Sequence, residues 1–594
     1  MRPFLFALCL TDMGRFETLN TQIMERRNEM KGNKGIRIAI LIVIYLLWLG
    51  CTYYVLLPAL NPHSIGFWLY LALVVLLPPA LVSLFHTSDV KVTKKGVKMV
   101  KAVANTPAKI LFGAIGACII IILIGDIAGA KLFHAKGYAS ILKTEDYEFS
   151  EDINQQTALS MIALMDTNSA IRLGNREIGS LSDLVSQYDV SDDYSQIDRN
   201  GAPQKVSALR YAGFFKWWGN RDKGVPGYVA VDPVEQNADY VKLEKGMRYV
   251  PSAYFNTDLE RNIRFHYPTA IFGNTHFEVD EEGNPYYVAS VYTYKIGLFG
   301  GDTVKGAIIC DPTNGDCDYY DVAEIPTWVD DVFDGELLTK QYNWTGELGN
   351  GFWNSLFGKK GCKKCTETYN SEDENYVADY GYVAKDGDIW IYTGITSVND
   401  DASNIGFILV NQRTSEAHYY SIAGADENSA MSAAEGEVQE KGYQASFPSL
   451  INVYDKPTYV MVLKDASGIV KLYAMVNVEQ YNIVTTASNL DDCFSKYKKL
   501  VKAGGDEDAV DDGDTNDDET ELKDPVDLEV TIASIEYVAI GGDTYVYLEA
   551  EDGTILRQKF ADNESLISLR IGDKIKVNAQ QSETGTYYIN TISK

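Results

Sequence analysis

Residues 306–321 read GAIICDPTNGDCDYYD, and two further stretches follow the same plan: GYVAVDPVEQNADYV at 227–241 and GFILVNQRTSEAHYYS at 406–421. Each opens on Gly and a short apolar run, passes through a polar turn, and ends in a strand that carries Tyr240, Tyr319 or Tyr419. Asp232-Pro233 and Asp311-Pro312 open two of the turns, and Asn411 holds the matching place in the third. Asp and Asn side chains bond their own backbone at turns, and Pro presets φ for the next position. Asn314-Gly315 is itself a hairpin signal. If Asp311 pairs with Asp316, Cys310 and Cys317 face each other, at places filled by Val231/Ala238 and Val410/Ala417 in the other copies. A cross-strand disulfide acting as a structural staple is the reading.

Working outward, aromatic strands precede two of these units, at 285–294 and 389–396, and a fourth strand pair spans 457–465 and 469–481. Candidate helices fall at 155–166, 256–265, 430–440 and 489–502. Near-continuous apolar strands punctuated by turns, in a chain with 39 Tyr, point to an α+β region of antiparallel sheets packed on helices. An aromatic strand followed by such a hairpin resembles PepSY or cystatin-like modules. That likeness implies curved antiparallel sheets, each laid against a helix, outside the membrane in bacteria. The order of motifs resembles uncharacterised membrane-anchored proteins of Gram-positive bacteria, which implies no chemistry.

The N-terminal part is a different object. Stretches 36–60, 65–85 and 110–130 are apolar and nearly free of charge, each about the ~20 residues that an α-helix needs to cross a bilayer. Arg26, Arg27, Lys31, Lys34 and Arg37 precede the first, and Lys91, Lys94, Lys95, Lys98, Lys101 and Lys109 lie between the second and third. The short 61–66 connection has no Lys or Arg. By the positive-inside rule the N-terminus and the 87–109 loop are cytoplasmic, and three crossings put the rest outside a cell membrane. Pro78 and Pro79 are expected to bend the second helix. Met30, just before Lys31, is where such a protein would begin, so 1–29 reads as an over-extended start or a disordered tail.

Net charge is −29, yet the first 134 residues hold 14 Lys/Arg against 6 Asp/Glu, so the remainder carries a surplus of 37 negative charges. An acidic outer region as a whole should repel nucleic acid and anionic lipid, which removes those partners from the leading readings. The organisation read from this is a cytoplasmic tail (1–34), a three-helix transmembrane region (35–134) and an extracytoplasmic region of repeated strand-pair modules (135–503). An acidic disordered linker (504–524) with eleven Asp/Glu and a small β-barrel of OB or SH3 type (525–594) complete it. Asp512, Asp514, Asn516 and Asp518 alternate as in a calcium loop, but Asp517 and Lys523 stand where Gly and Glu belong, so the linker reading prevails.

Few residues promise chemistry. Cys362-Lys-Lys-Cys365 has a thiol-exchange spacing, and Lys360, Lys363 and Lys364 would lower thiolate pKa values. It follows a loop instead of opening a helix, which favours a local disulfide with a redox centre as the alternative. His266, His276, Glu278 and Asp280 are the nearest approach to a metal cluster, but their spacing fits no ligand pattern, so no metal or cofactor is expected. Arg248, Arg261 and Arg264 are a candidate anion or partner patch. The aromatic loops FFKWWGN (214–220) and GFWNSLF (351–357) are read as core plugs between modules, the alternative being exposed anchors. The function expected is therefore non-enzymatic: a membrane-integral binding or scaffold protein with protein partners in the envelope, homo-oligomerisation being compatible. The alternatives are an envelope thiol–disulfide protein using Cys362 and Cys365, and a subunit of a membrane transport or secretion complex.

Overall fold

The computed structural model describes residues 34–86, 90–93, 96–99, 106–155, 164–165, 167–233, 237–370, 375–378, 380–399, 403–466, 468–504, 525–540, 543–550, 554–560, 563, 566, 569–581 and 586–593. The N-terminal tail up to residue 33, most of the expected 155–166 helix and the acidic linker from 505 to 524 lie outside the described residues.

Three helices are long and apolar enough to cross a membrane. The first is Lys34–Leu56 and the third Thr106–Ala128. The second runs Ile65–Tyr70, widens into a π-helix over Leu71–Leu76, and continues as Leu77–His86. The widening sits directly before Pro78 and Pro79. Two consecutive prolines donate no N–H, so the carbonyls of Val74 and Val75 lose their usual α-helical donors. In hydrocarbon an orphaned carbonyl is costly, and the first helix supplies replacements. Tyr45 Oη donates to Val75 O, and Trp48 Nε1 donates to Val74 O at 3.4 Å.

The folded remainder divides into two compact units. One comprises 1–145, 167–401 and 408–419; the other comprises 146–166, 402–407 and 420–594. Four-stranded antiparallel meanders recur along the chain. The first is Ser195–Arg199, Ala202–Tyr211, Val225–Asp232 and Asn237–Met247. The second is Ile271–Val279, Pro285–Ile296, Gly300–Cys310 and Cys317–Asp321. The third is Gly381–Lys385, Asp388–Ser397, Gly406–Asn411 and Ala417–Tyr420. In each of these the sequence stretch quoted above forms the last hairpin. Its turns use the expected chemistry: Asp311 Oδ1 accepts Thr313 N at 2.7 Å, and Asn411 Oδ1 accepts Arg413 N at 2.8 Å.

In the first unit, the core between the second and third meanders is filled by helix Gly335–Leu348. Leu337, Leu338 and Tyr342 pack there with Val288, Ile309, Ile391 and Ile395. In the second unit, a fourth meander (Ser449–Val453, Lys456–Lys464, Val470–Asn477, Val484–Ala487) is covered by helix Leu490–Lys502, whose Phe494, Tyr497 and Leu500 meet Val460, Val462 and Met475. The same unit holds a closed barrel of Val526–Ile540, Asp543–Ala550, Ile555–Lys559, Tyr587–Ser593 and Lys574–Gln581, neighbours in that order.

Within the first unit the folded region is seated on the helices. Leu60 N donates to Pro268 O at 2.8 Å, and His63 Nδ1 lies 2.9 Å from Leu298 O. At the far end of the third helix, Tyr138 Oη donates to Gly129 O at 2.7 Å. The 297–300 turn approaches this helix closely: a Cβ on Gly125 would lie 2.7 Å from the Phe299 ring, and Gly297 adopts φ +60 against Gly129. The connection after the first helix and the end of the third thus both meet the 297–300 turn of the second meander.

Candidate functional site

A buried carboxyl–imidazole cluster in the first unit gathers at the first strands of the first and second meanders and the start of the second strand of the third. Side chains alternate along Ile271–Val279, so His276 and Glu278 share one face. Glu278 is fully buried. Its Oε1 accepts His276 Nε2 at 2.9 Å and Asp331 N at 3.1 Å, and its Oε2 accepts Asp330 N at 2.9 Å. Asp330, also buried, passes the connection on: Oδ2 accepts Asp198 N at 2.7 Å and Oδ1 accepts Ile389 N at 3.3 Å. One carboxyl therefore reaches the first meander and the third while a second holds it to the second. Beside it, Asp388 takes a two-pronged bond from Arg413, at 2.7 Å from Nε and 2.6 Å from Nη2, and a third from Asn411 Nδ2 at 2.7 Å. Gln412 Nε2 donates to Asp331 Oδ1 at 2.9 Å.

Burial raises Asp331 from the usual carboxyl value to about 6, partly offset by the neighbouring His276. Desolvation by itself would lower His276, but Asp331 and Glu278 outweigh it and push the imidazole to about 9. Burial, then the nearby Glu278, also drives Asp330 well above the ordinary carboxyl range. Each oxygen of Glu278 and Asp330 is engaged by a backbone N–H or by His276. The arrangement cross-ties strands of three meanders, and beside it Asp198 Oδ1 is a buried carboxyl oxygen without a hydrogen-bond partner.

Among the described residues no group of three or more His, Cys, Asp or Glu is arranged to hold a metal ion. Of the four residues singled out for that role, only His276 and Glu278 come together. Asp280 turns back to cap Asn284 N at 2.7 Å, and His266 bonds Asn262 O at 2.9 Å on its own helix.

Cys310 and Cys317 are register partners and form the expected disulfide. Cys362 and Cys365 do not: neither is in a disulfide, and both are buried. Lys363–Cys365 is extended, and residues three apart on extended backbone face opposite ways. Cys365 enters the core against Thr339 O, while Cys362 Sγ lies 3.4 Å from Glu347 O. Burial and then Glu347 raise the Cys362 thiol, outweighing the Asn354 hydrogen bond and Lys359, which is not one of the lysines expected to lower it.

The three arginines do not share a ligand pocket. Arg248 is exposed, Arg261 is used at the seat on the helices, and Arg264 is buried beside it. Arg261 lies over the Tyr54 ring at 4.3 Å and donates to Tyr54 O at 3.0 Å. Arg264 is buried over Phe272 and donates to the carbonyls of Tyr267 and Ala270. The aromatic loops also depart from the expected core plugs. Trp217 is buried, but Phe215 is 85% exposed, and Trp218, Trp353, Leu356 and Phe357 are exposed as well.

Asp330, Asp331, Asp198 and the Asp388–Arg413 pair are not among the residues that sequence reasoning singled out. The available signal was two adjacent acids within WVDDVF (328–333), flanked by residues that prove buried.

No protein-family model matches the chain, and no curated protein matches it. Among solved structures it is similar to a Synechocystis apocarotenoid oxygenase (10% identity, 49% of this chain and 59% of that one, TM-score 0.15). It is also similar to a Cellvibrio cellulosa alpha-L-arabinanase (13% identity, 68% and 96%, TM-score 0.17) and a B. megaterium levansucrase (9%, 77% and 99%, TM-score 0.17). TM-scores this low carry neither fold nor activity to this chain.

Proposed function

We propose that the protein is a membrane-anchored binding or scaffold protein, which presents its folded region outside the cytoplasm to protein partners. The observation that carries this is the rigid seat: Leu60, His63, Arg261 and Tyr138 bond the folded region directly to the helix ends. A rigid mount holds a binding surface in a defined orientation to the bilayer, which a freely tethered domain does not. The use of the buried carboxyls as cross-ties supports the same reading. The lysines that the sequence holds between the second and third helices support an extracytoplasmic orientation of the folded region. The finer likenesses belong here too. Helix Leu490–Lys502 over the fourth meander supports cystatin-like packing, and the barrel's parallel pairing of Ile555–Lys559 with Tyr587–Ser593 supports the OB type.

The test is purification of the full chain in mild detergent, with native mass measurement and identification of co-eluting proteins. A stoichiometric partner or a defined homo-oligomer is the expected result. A monodisperse monomer carrying only detergent and lipid would overturn the proposal.

A further inference from the structure

We propose that the two aromatic loops, 214–223 and 351–361, insert into the headgroup region of the same bilayer that the three helices span, flanking the stem as accessory interfacial anchors. This goes beyond the binding role above and does not depend on which partner is bound.

The argument starts from height. Tyr54 lies two residues from the end of helix Lys34–Leu56, about 3 Å along the axis at 1.5 Å per residue. Whatever touches Tyr53 and Tyr54 is therefore level with the last turn of a membrane-spanning helix. Phe265 packs on both rings, at 6.0 and 6.2 Å between centroids, and remains 52% exposed. Tyr54 Oη donates to Asn256 Oδ1 at 2.9 Å, and Arg261 bridges Tyr54 O and Phe255 O. Phe255 then leads into the aromatic loop, with its ring 6.4 Å from Phe214 and 5.7 Å from Trp217. Trp217 is the buried root of this cluster, while Phe215 and Trp218 project from it. The exposed aromatics are thus continuous with the top of the first helix.

The second loop is rooted at the exit of the third helix. Tyr138, bonded to Gly129 O, packs edge-on against Trp344 at 4.9 Å. Phe352 joins this small core, and the chain beyond it turns outward. There Trp353 and Phe357 stack on each other at 5.9 Å, with 63% and 75% of their surfaces exposed.

Chemistry selects lipid as the occupant. Trp and Phe beside Lys or Arg are the side chains that settle at a membrane–water interface, with the ring in the acyl boundary and the cation among headgroups. Residues 214–223 hold Lys216, Arg221 and Lys223 against Asp222, and 351–361 hold Lys359 and Lys360 with no acid. In a region with a surplus of 37 negative charges this is a local inversion, placed where the bilayer surface lies. Arg221 stacks over Trp218 at 4.3 Å, which pairs cation and ring in one anchor.

Tryptophan quenching tests the idea on the full chain. The protein is reconstituted into phosphatidylcholine–phosphatidylglycerol vesicles, with and without acyl chains brominated near the headgroup. Difference emission (wild type minus variant) is measured for W218F, W353F, W48F and W328F. Trp48 lies in the first spanning helix, and Trp328 packs on Tyr286 in the second meander, so they serve as the inserted and the non-inserted reference. The expected result is loss of most of the Trp218 and Trp353 signals in brominated vesicles, with Trp328 unaffected. Quenching of Trp48 without Trp218 and Trp353 would overturn the anchor while leaving the spanning helices intact. Absence of quenching at all four would overturn both.

Discussion

The two edges of the second meander are secured by opposite means. At its outer edge Cys310 and Cys317 join adjacent strands covalently, across a separation of seven residues. At its inner edge Glu278 reaches 52 and 53 residues along the chain, to the backbone of Asp330 and Asp331, through hydrogen bonds alone. The covalent tie spans a short loop, so it removes only modest entropy from the unfolded chain. The carboxyl tie organises three meanders and is buried, so removing one partner leaves the others unsatisfied in a low dielectric. The less conspicuous edge is therefore the one on which the fold depends more.

The largest expected effect follows from breaking the inner edge. Glu278→Ala leaves two backbone N–H groups and His276 without their acceptor, a loss on the order of 3–5 kcal/mol in unfolding free energy. Chemical denaturation in detergent checks this, and a change below 1 kcal/mol would show that the tie is incidental.

Next comes the proton dependence of that edge. Asp331 and His276 both have folded-state values raised above their usual ones, so the folded form holds its protons more tightly. The contribution of each is complete below its ordinary value and declines as pH climbs through the raised one. Stability should fall first as pH rises from 3.8 to about 6, with Asp331, and again from 6.5 to about 9, with His276. The second step is on the order of 3 kcal/mol. Glu278→Gln should reduce this step without abolishing it, because Asp331 still favours the imidazolium while a neutral amide no longer does. A melting temperature that is flat from 6.5 to 9 in wild type would contradict the assignment.

Breaking the outer edge should cost less. Cys310→Ser with Cys317→Ser is expected to remove about 2 kcal/mol, read as a lowered melting temperature that reductant does not lower further. If this double change outweighs Glu278→Ala, the comparison is reversed.

The smallest effect concerns the other cysteine pair, which sharpens the contrast because no disulfide joins it. A water-soluble alkylating reagent should leave Cys362 and Cys365 unmodified in the folded protein and label both after denaturation. Rapid labelling of Cys362 under native conditions would revive a redox role.

The outer edge was legible in the sequence because a hairpin is local: a turn of known type sets the register, and the register sets which side chains face each other. That reasoning reached Cys310 and Cys317 from Asp311 and Asn314-Gly315. It failed at Cys362 and Cys365, where spacing suggests proximity but the extended backbone sends the two thiols to different neighbours. The inner edge was half legible. His276 and Glu278 drew notice only together with His266 and Asp280, and their partners Asp330 and Asp331 lie far along the chain, with no periodicity to link them. The aromatic loops were visible as composition, while their exposure depends on what lies beneath them. Trp217 and Trp218 are adjacent in sequence, yet one is buried and the other exposed.

Three long apolar helices, the hairpins with their turns and the C-terminal barrel's strands were determined by the sequence alone, since each rests on hydrophobic run length, alternation or turn chemistry within a few residues. Tertiary structure alone decided the carboxyl cross-ties, the donors that Tyr45 and Trp48 supply to the proline-freed carbonyls, and the seat of the folded region on its helices. Those depend on buried polar groups finding partners remote in the chain, and only the packed fold brings donor and acceptor together.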